Sequence, residues 1–277
     1  MQVLSAQSKE FLIPVEILCL DDGSDSNVKE KNRKISSLPN VNYQELGRNI
    51  GRAAIRNALA RNAQYDFLLF LDGDSKVVSP DFLAKYLAIL PTDAVWMGGR
   101  IYDRHPPDDN RLFLHWKYGT QRESKPAAVR ALTPFHHFMT NNFLLPKSVF
   151  FSVPLDEAVQ GYGHEDTLWA FSLQKHKISI RHLENPVVHL GLESNKVFLE
   201  KSRAAVRNLA LITDDNKEIS TRLQTAYHRL KKLKLIVLFR FFICPFARFF
   251  EKNLLSSSPK LIFLDLLKLC WFSNLKN

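Results

Sequence analysis

The residues in this 277-residue chain best placed to do chemistry are aspartates that cut off apolar runs. Asp72-Gly73-Asp74 follows Phe67–Leu71 (FLLFL), and Asp21-Asp22-Gly23-Ser24 follows Val15–Leu20 (VEILCL). Asp72 and Asp74 stand two apart, so both carboxylates point to one side if the backbone stays extended. Gly73 between them lets a large ligand approach the main chain. Hard oxygen donors of this kind suit Mg²⁺ or Mn²⁺, which take one or two carboxylates together with substrate phosphates and water. Asp-Gly-Asp is also ordinary turn chemistry.

A third acidic stretch, Gly161-Tyr162-Gly163-His164-Glu165-Asp166, opens a helical pattern containing Leu168, Trp169 and Phe171. Read as structure alone, it is a helix start whose acids favour the helix dipole. Read as chemistry, it is an aromatic loop over a sugar with Asp166 as a general base. His189 ends the strand-like run Asn185-Pro186-Val187-Val188. It is either a packed side chain or a neutral imidazole partnering carboxylates on a metal.

The elements that must position these groups alternate between strand and helix, the pattern of an α/β fold with a mostly parallel sheet flanked by helices. Strands are expected at Val15–Leu20, Val41–Leu46, Phe67–Leu71, Ala94–Ile101, His136–Leu145 and Ile178–Leu183. Helices are expected at Gly51–Ala63, Pro80–Leu90, Pro146–Phe151, Asp166–His176 and Val197–Ile212. Residues 103–135, with Pro106, Pro107, Pro126 and Pro134, read as a long loop. Open α/β sheets bind ligands outside the carboxyl ends of their strands, so residues 21–22 and 72–74 are expected to face one pocket.

The motifs form an ordered set: Asp21-Asp22-Gly23-Ser24, Arg48-Asn49-Ile50-Gly51-Arg52 with Ala53, Arg56 and Asn57, FLLFLDGD, GYGHED, and NPVVHLG. In this order and spacing, over about residues 10–212, the chain resembles the family 2 glycosyltransferases of GT-A fold. The resemblance implies an inverting, metal-dependent enzyme that moves a sugar from a nucleoside diphosphate, UDP in the first instance, to a hydroxyl of a glycan or lipid-linked acceptor. By the resemblance Asp21 and Asp22 contact base and ribose. Asp72 lies near ribose and metal, and Asp74 is the principal ligand of an Mn²⁺ or Mg²⁺ cofactor. Asp166 is the base, Glu165 contacts the acceptor, and His189 completes the metal shell. Arg52 touches the nucleotide or lies on a solvated helix face. Asn141 and Asn142 touch the donor sugar or only satisfy strand-end backbone.

The family pattern departs at the front, where a first strand ending in a Pro-x-Tyr-Asn-like turn is expected. Here residues 1–11 read as the end of the helix that would follow it. A domain at 1–215 is therefore expected to be N-terminally incomplete, which keeps open a second reading as a catalytically inactive nucleotide-sugar-binding or scaffold protein. A sugar nucleotidyltransferase would need a glycine-rich basic loop near the start, and the sequence has none.

Charge separates the rest. Of 38 Lys and Arg and 28 Asp and Glu in the chain, residues 216–277 hold 12 and 3, leaving 26 and 25 for residues 1–215. A body of near-zero net charge argues against a nucleic-acid partner. The 216–277 segment reads as a basic, hydrophobic helical tail. Leu233–Phe250, interrupted by Lys234, Arg240, Pro245 and Arg248, falls short of the roughly 20 apolar residues of a membrane span and fits an interfacial amphipathic segment. A cytoplasmic enzyme peripheral on the inner face of the cell membrane is the resulting expectation. Cys19, Cys244 and Cys270, far apart and without a CxxC pair, predict neither a disulfide nor a zinc site and a reducing compartment.

Overall fold

The computed structural model describes residues 1–158, 162–215 and 220–276. It divides into two compact units of interleaved segments: 1–100, 126–159 and 172–188 in the first, and 101–125, 160–171 and 189–277 in the second. The expected boundary at 215 falls inside the second unit. Nine strands are described: β1 Ile17–Asp21, β2 Val41–Glu45, β3 Phe67–Leu71, β4 Ser75–Lys76, β5 Val95–Met97, β6 Arg100–Ile101, β7 Asn142–Pro146, β8 Ile180–His182 and β9 Val187–His189.

The α/β class is as read, but the strands form three sheets rather than one. β1 pairs in parallel with β2 alone; β3-β7-β5-β8 form a four-stranded sheet, and β4-β9-β6 a three-stranded one. In the four-stranded sheet β7 runs antiparallel to both β3 and β5, while β5 and β8 are parallel. The sheet is therefore mixed, which alternation of helix and strand could not reveal. Among the described residues β1 has β2 as its only sheet neighbour, and β3 lies at an edge of its own sheet.

In the first unit, β7 is buried along its whole length between its two neighbours. Phe143 stacks on Phe70 at 4.8 Å, and Phe70 on Phe150 at 5.3 Å. Phe150 lies on the helix Lys147–Ser152, so a three-ring stack pins that helix to the sheet. Phe82 and Tyr86, on the helix Phe82–Leu87, are buried against Leu144 and Val187. Each such ring contributes on the order of 2 kcal/mol by leaving water. The strand expected over Ala94–Ile101 breaks into β5 and β6 at Gly98-Gly99. A side chain at Gly98 would meet the Tyr86 hydroxyl and Asn142, and Gly99 has φ +100° against the buried guanidinium of Arg130.

In the second unit, the long helix Asn195–Asp215 and the helices Ala247–Leu254 and Leu261–Leu275 bury Phe198, Leu199, Phe250, Leu254, Leu261, Leu264 and Leu267 together with Leu114. The helix Arg222–Lys232 starts at a capping box, Thr221 with Gln224, which satisfies two otherwise orphaned amides. Two expectations are corrected here. Residues 103–135 are not a loop: they hold the helices Phe113–Tyr118 and Ala127–Ala131 and a π-helical turn over Gly119–Glu123. Tertiary packing of Leu114 overrides a proline-rich sequence. Cys244 and Cys270 form a disulfide, with Cα atoms 5.7 Å apart. Packing of the Ala247–Leu254 and Leu261–Leu275 helices closes a separation of 26 residues that sequence spacing had left unpaired.

Candidate active site

In the first unit, the two acidic strand ends are built differently. At the end of β1, the Asp21 carboxylate is buried and accepts from the Ser24 amide at 2.7 Å, from Asn32 Nδ2 at 3.4 Å and from the Tyr43 hydroxyl at 3.3 Å. Burial alone would raise its pKa, but these donors outweigh burial and hold it below the ordinary carboxylate value. Burial, and then the charge of Asp21, push the Tyr43 phenol up to about 12. Asp22 accepts from the Ile50 amide at 2.7 Å and the Gly51 amide at 3.1 Å. It thereby fixes the loop that starts the helix Arg52–Asn62. Gly23, at φ +79°, passes so close to that loop that a Cβ would lie 2.6 Å from Arg48 C and Asn49 N. Arg52 is exposed at the first turn of the helix.

At the end of β3 the backbone does not stay extended. The Ser75 amide donates to the Asp72 carbonyl at 3.0 Å, so Asp72-Gly73-Asp74 is a tight turn into β4. The premise that both carboxylates share a side through an extended chain is thus corrected, because Gly73 permits the turn. Asp72 Oδ1 accepts from Arg56 at 2.6 Å, and Arg100 stands 3.7 Å from Oδ2. Asp74 is exposed on the turn. Strand pairing continues one residue past β3, with the Asp72 amide donating to the Asn141 carbonyl at 3.0 Å. The Asn141 carboxamide is buried there, and neither of its polar atoms has a hydrogen-bond partner among the described residues.

Asn142 points to the opposite face. Fully buried, it accepts from the Tyr86 hydroxyl at 2.6 Å and donates to the Gly99 and Asn185 carbonyls at 3.0 and 2.9 Å. These bonds hold the β5–β6 break in place. A neighbouring pin is Arg130, buried and bonded to the carbonyls of Met97, Gly98 and Leu183 and to His182 Nδ1. Burial, then the cations nearby, lower the His182 pKa to about 4.

In the second unit, Gly161 of the Gly-Tyr-Gly stretch lies outside the described residues. Gly163, at φ +88°, leaves no room for a side chain beside Ala205, and its carbonyl is gripped by Asn208. His164 at φ +68° then turns the chain into the helix Glu165–Lys175, with Glu165 and Asp166 in its first turn. Asp166 Oδ1 accepts from the Thr167 amide at 2.7 Å. Burial, reinforced by Lys268, lowers the His164 pKa to about 4, so this imidazole is neutral beside Glu165. His189 lies edge-on to Tyr102 at 5.3 Å and against His115 at 5.5 Å. The Glu193 amide donates to His115 Nδ1 at 2.9 Å.

Among the described residues, no three His, Cys, Asp or Glu side chains form a group that could hold a metal ion unaided. The sequence had singled out Arg56 only as part of a motif and Arg100 not at all. Neither Arg56 on its helix nor Arg100 on its strand carries a local signature, and only the pairing of Asp72 with both guanidiniums reveals them.

The model of the family described as Glycosyl transferase family 2 matches residues 3–151, just over half of the chain. Chondroitin synthase of Escherichia coli is 24% identical over 237 residues, covering 74% of this chain and 34% of that protein. The chain thus spans about a third of the length of this curated relative. Among solved structures, the mannosyltransferase PcManGT of Pyrobaculum calidifontis in complex with GDP-Man and Mn²⁺ aligns with a TM-score of 0.49 at 14% identity, over 78% of this chain and 62% of that one. S. aureus TarS residues 1–349 in complex with UDP-GlcNAc aligns with a TM-score of 0.45 at 15% identity, over 74% and 60%. At these identities and scores the two structures say nothing of substrate. The chain belongs to glycosyl transferase family 2.

Proposed function

We propose, from that family membership, that the chain transfers a sugar from a nucleoside diphosphate donor, UDP in the first instance, to an acceptor hydroxyl with inversion at the anomeric carbon. The observation that carries the reading is the charged corner at the carboxyl end of β3: Asp72 between Arg56 and Arg100, with Asp74 exposed on the adjoining turn. Guanidiniums there suit donor phosphates. Asp74, exposed on the turn, is the carboxylate offered to a divalent cation shared with those phosphates. Mg²⁺ is ordinarily held by one or two carboxylates plus substrate phosphate, so a complete protein cage is not required. When bound, the cation offsets charge on the departing diphosphate.

The remaining steps fall to the chain's own groups. Asp166 takes the proton of the acceptor hydroxyl as that oxygen displaces the nucleoside diphosphate from the opposite face of the sugar. Glu165 orients the acceptor. Asp21 and Asp22 lie on the nucleotide side, where Asp22 fixes the loop at residues 50–51 and Arg52 is exposed beside it. Asn142 acts on the sugar side by holding the Gly99 backbone between β5 and β6. The acceptor is a glycan or lipid-linked glycan, in keeping with the relative named chondroitin synthase.

The test is a screen of nucleotide sugars with Mn²⁺ or Mg²⁺, reading released nucleotide, on the native chain and on Asp166→Asn. The native chain releases nucleotide from one donor class. The variant still binds that donor calorimetrically, while transfer falls about 10²–10⁴-fold, the contribution of a positioned base. Near-normal turnover of the variant removes Asp166 from the role. Binding with no turnover in either protein supports a nucleotide-sugar-binding scaffold.

A further inference from the structure

Within the second unit, residues 236–254 form two short helices, Ile236–Phe242 and Ala247–Leu254, joined by a turn at Cys244-Pro245-Phe246. Their side chains sort into two adjacent stripes. Ile243, Ala247, Phe250 and Leu254, spaced by four, three and four residues, pack onto the cluster formed with Leu261, Leu264 and Leu267. Phe242, Phe246 and Phe249, one residue earlier in each step, lie outside it. They are 59%, 58% and 58% exposed, and Phe241 is 72% exposed. Val237 and Leu238 continue this outer stripe at 68% and 52%. Four phenylalanines this exposed within residues 241–249 are costly in water and mark a surface with a partner.

The inner stripe shows that this exposure is not the product of a loose segment. Phe250 and Leu254 are fully seated in the core, Phe250 stacks on Phe263 at 5.0 Å, and the Cys244–Cys270 disulfide ties the turn to the helix Leu261–Leu275. The outer stripe is therefore held outward by a rigid base. Its charge surroundings identify what it meets. Residues 229–260 contain eight Lys and Arg (Arg229, Lys231, Lys232, Lys234, Arg240, Arg248, Lys252 and Lys260) against one acid, Glu251. That acid is already engaged by Arg203 at 2.6 Å. Two copies of so cationic a face repel each other, whereas an anionic surface complements it.

We infer that the outer face of residues 237–249 lies in the headgroup layer of an anionic lipid bilayer, with Val237, Leu238, Phe241, Phe242, Phe246 and Phe249 inserted among the acyl chains. Lys231, Lys232, Lys234, Arg248 and Lys252, all exposed, lie along the rim and meet lipid phosphates, their aliphatic stems following the apolar layer. No helix among the described residues is long and apolar enough to cross a membrane, so this is in-plane attachment. The inference stands on this face alone and does not depend on the transferase reading.

Co-sedimentation of the full chain tests it, with vesicles of phosphatidylcholine alone and of phosphatidylcholine mixed with phosphatidylglycerol. The native chain is expected to pellet with the mixed vesicles and at least about tenfold less with the neutral ones, and raised salt should weaken binding. Phe241→Ser with Phe246→Ser should lower binding at least about tenfold while leaving the circular dichroism spectrum and the Tm unchanged, since both side chains are exposed and lie outside the core cluster. Lys231→Gln with Lys232→Gln and Lys234→Gln should abolish the preference for anionic vesicles. Equal pelleting of the phenylalanine variant overturns the proposal. So does failure of the native chain to bind the mixed vesicles; joined with a concentration-dependent dimer that the same two serines dissolve, that result assigns the face to a second copy.

Discussion

The corners after β1 and β3 start from one sequence device, an apolar strand cut off by aspartate and glycine, and end as different chemistry. After β1 the carboxylates are spent inside the fold: Asp21 on Ser24, Asn32 and Tyr43, and Asp22 on the amides of Ile50 and Gly51. After β3 Asp72 is balanced by charge instead, beside Arg56 and Arg100, and Asp74 is exposed on the adjoining turn. The first corner orders backbone. The second gathers charge where a phosphorylated ligand could use it. Acidic strand ends are therefore not interchangeable evidence of a site; what the carboxylate already holds decides its role.

The sharpest way to break this contrast is Asp74→Ala. If the second corner serves the donor, transfer falls by about 10³-fold, equivalent to about 4 kcal/mol, with the Tm nearly unchanged. Nucleotide release and thermal denaturation of one preparation decide it, and a loss of stability without loss of activity would reverse the roles. At the first corner, Gly23→Ala must place a methyl 2.6 Å from backbone at a positive φ. It should cost about 3 kcal/mol in denaturant unfolding.

Asp22→Ala leaves two amides at a helix start without their acceptor and should cost about 1–2 kcal/mol by the same measurement. A change at Asp22 that spares stability but removes donor binding would make the corners alike. The smallest effect concerns Asp21. Its folded pKa is lowered, so the stability it contributes is present above the ordinary carboxylate value and is lost as pH falls through the folded one. Asp21→Asn should accordingly flatten acid unfolding below about pH 4 and leave the neutral-pH side of the profile unchanged in slope. An unaltered acid limb would show that its hydrogen bonds do not stabilise the fold.

Much of this was legible from residues alone. Phe67–Leu71 is a strand with the bounds its apolar run suggested, because five successive apolar residues stopped by a turn have few other places to go. Helices starting beside Gly51 and at Glu165 were equally visible. Order and spacing of the acidic motifs also pointed to the family that the sequence model matches. Less was legible where a long-range partner decides. The 113–118 helix forms because Leu114 has a core to enter. The strand expected through residue 101 breaks because Tyr86, Asn142 and Arg130 crowd Gly98 and Gly99.

The sequence by itself determined the class of fold, the family, the acidic residues and the concentration of positive charge in residues 216–277, because apolar runs, turn residues and charge are local properties of the chain. Tertiary structure alone decided which carboxylates are already engaged, that β7 runs antiparallel into its sheet, that Cys244 meets Cys270, and which phenylalanines between 237 and 250 face outward. Each of these depends on residues distant in the chain coming within a few ångströms, and neither hydropathy nor spacing encodes such a distance.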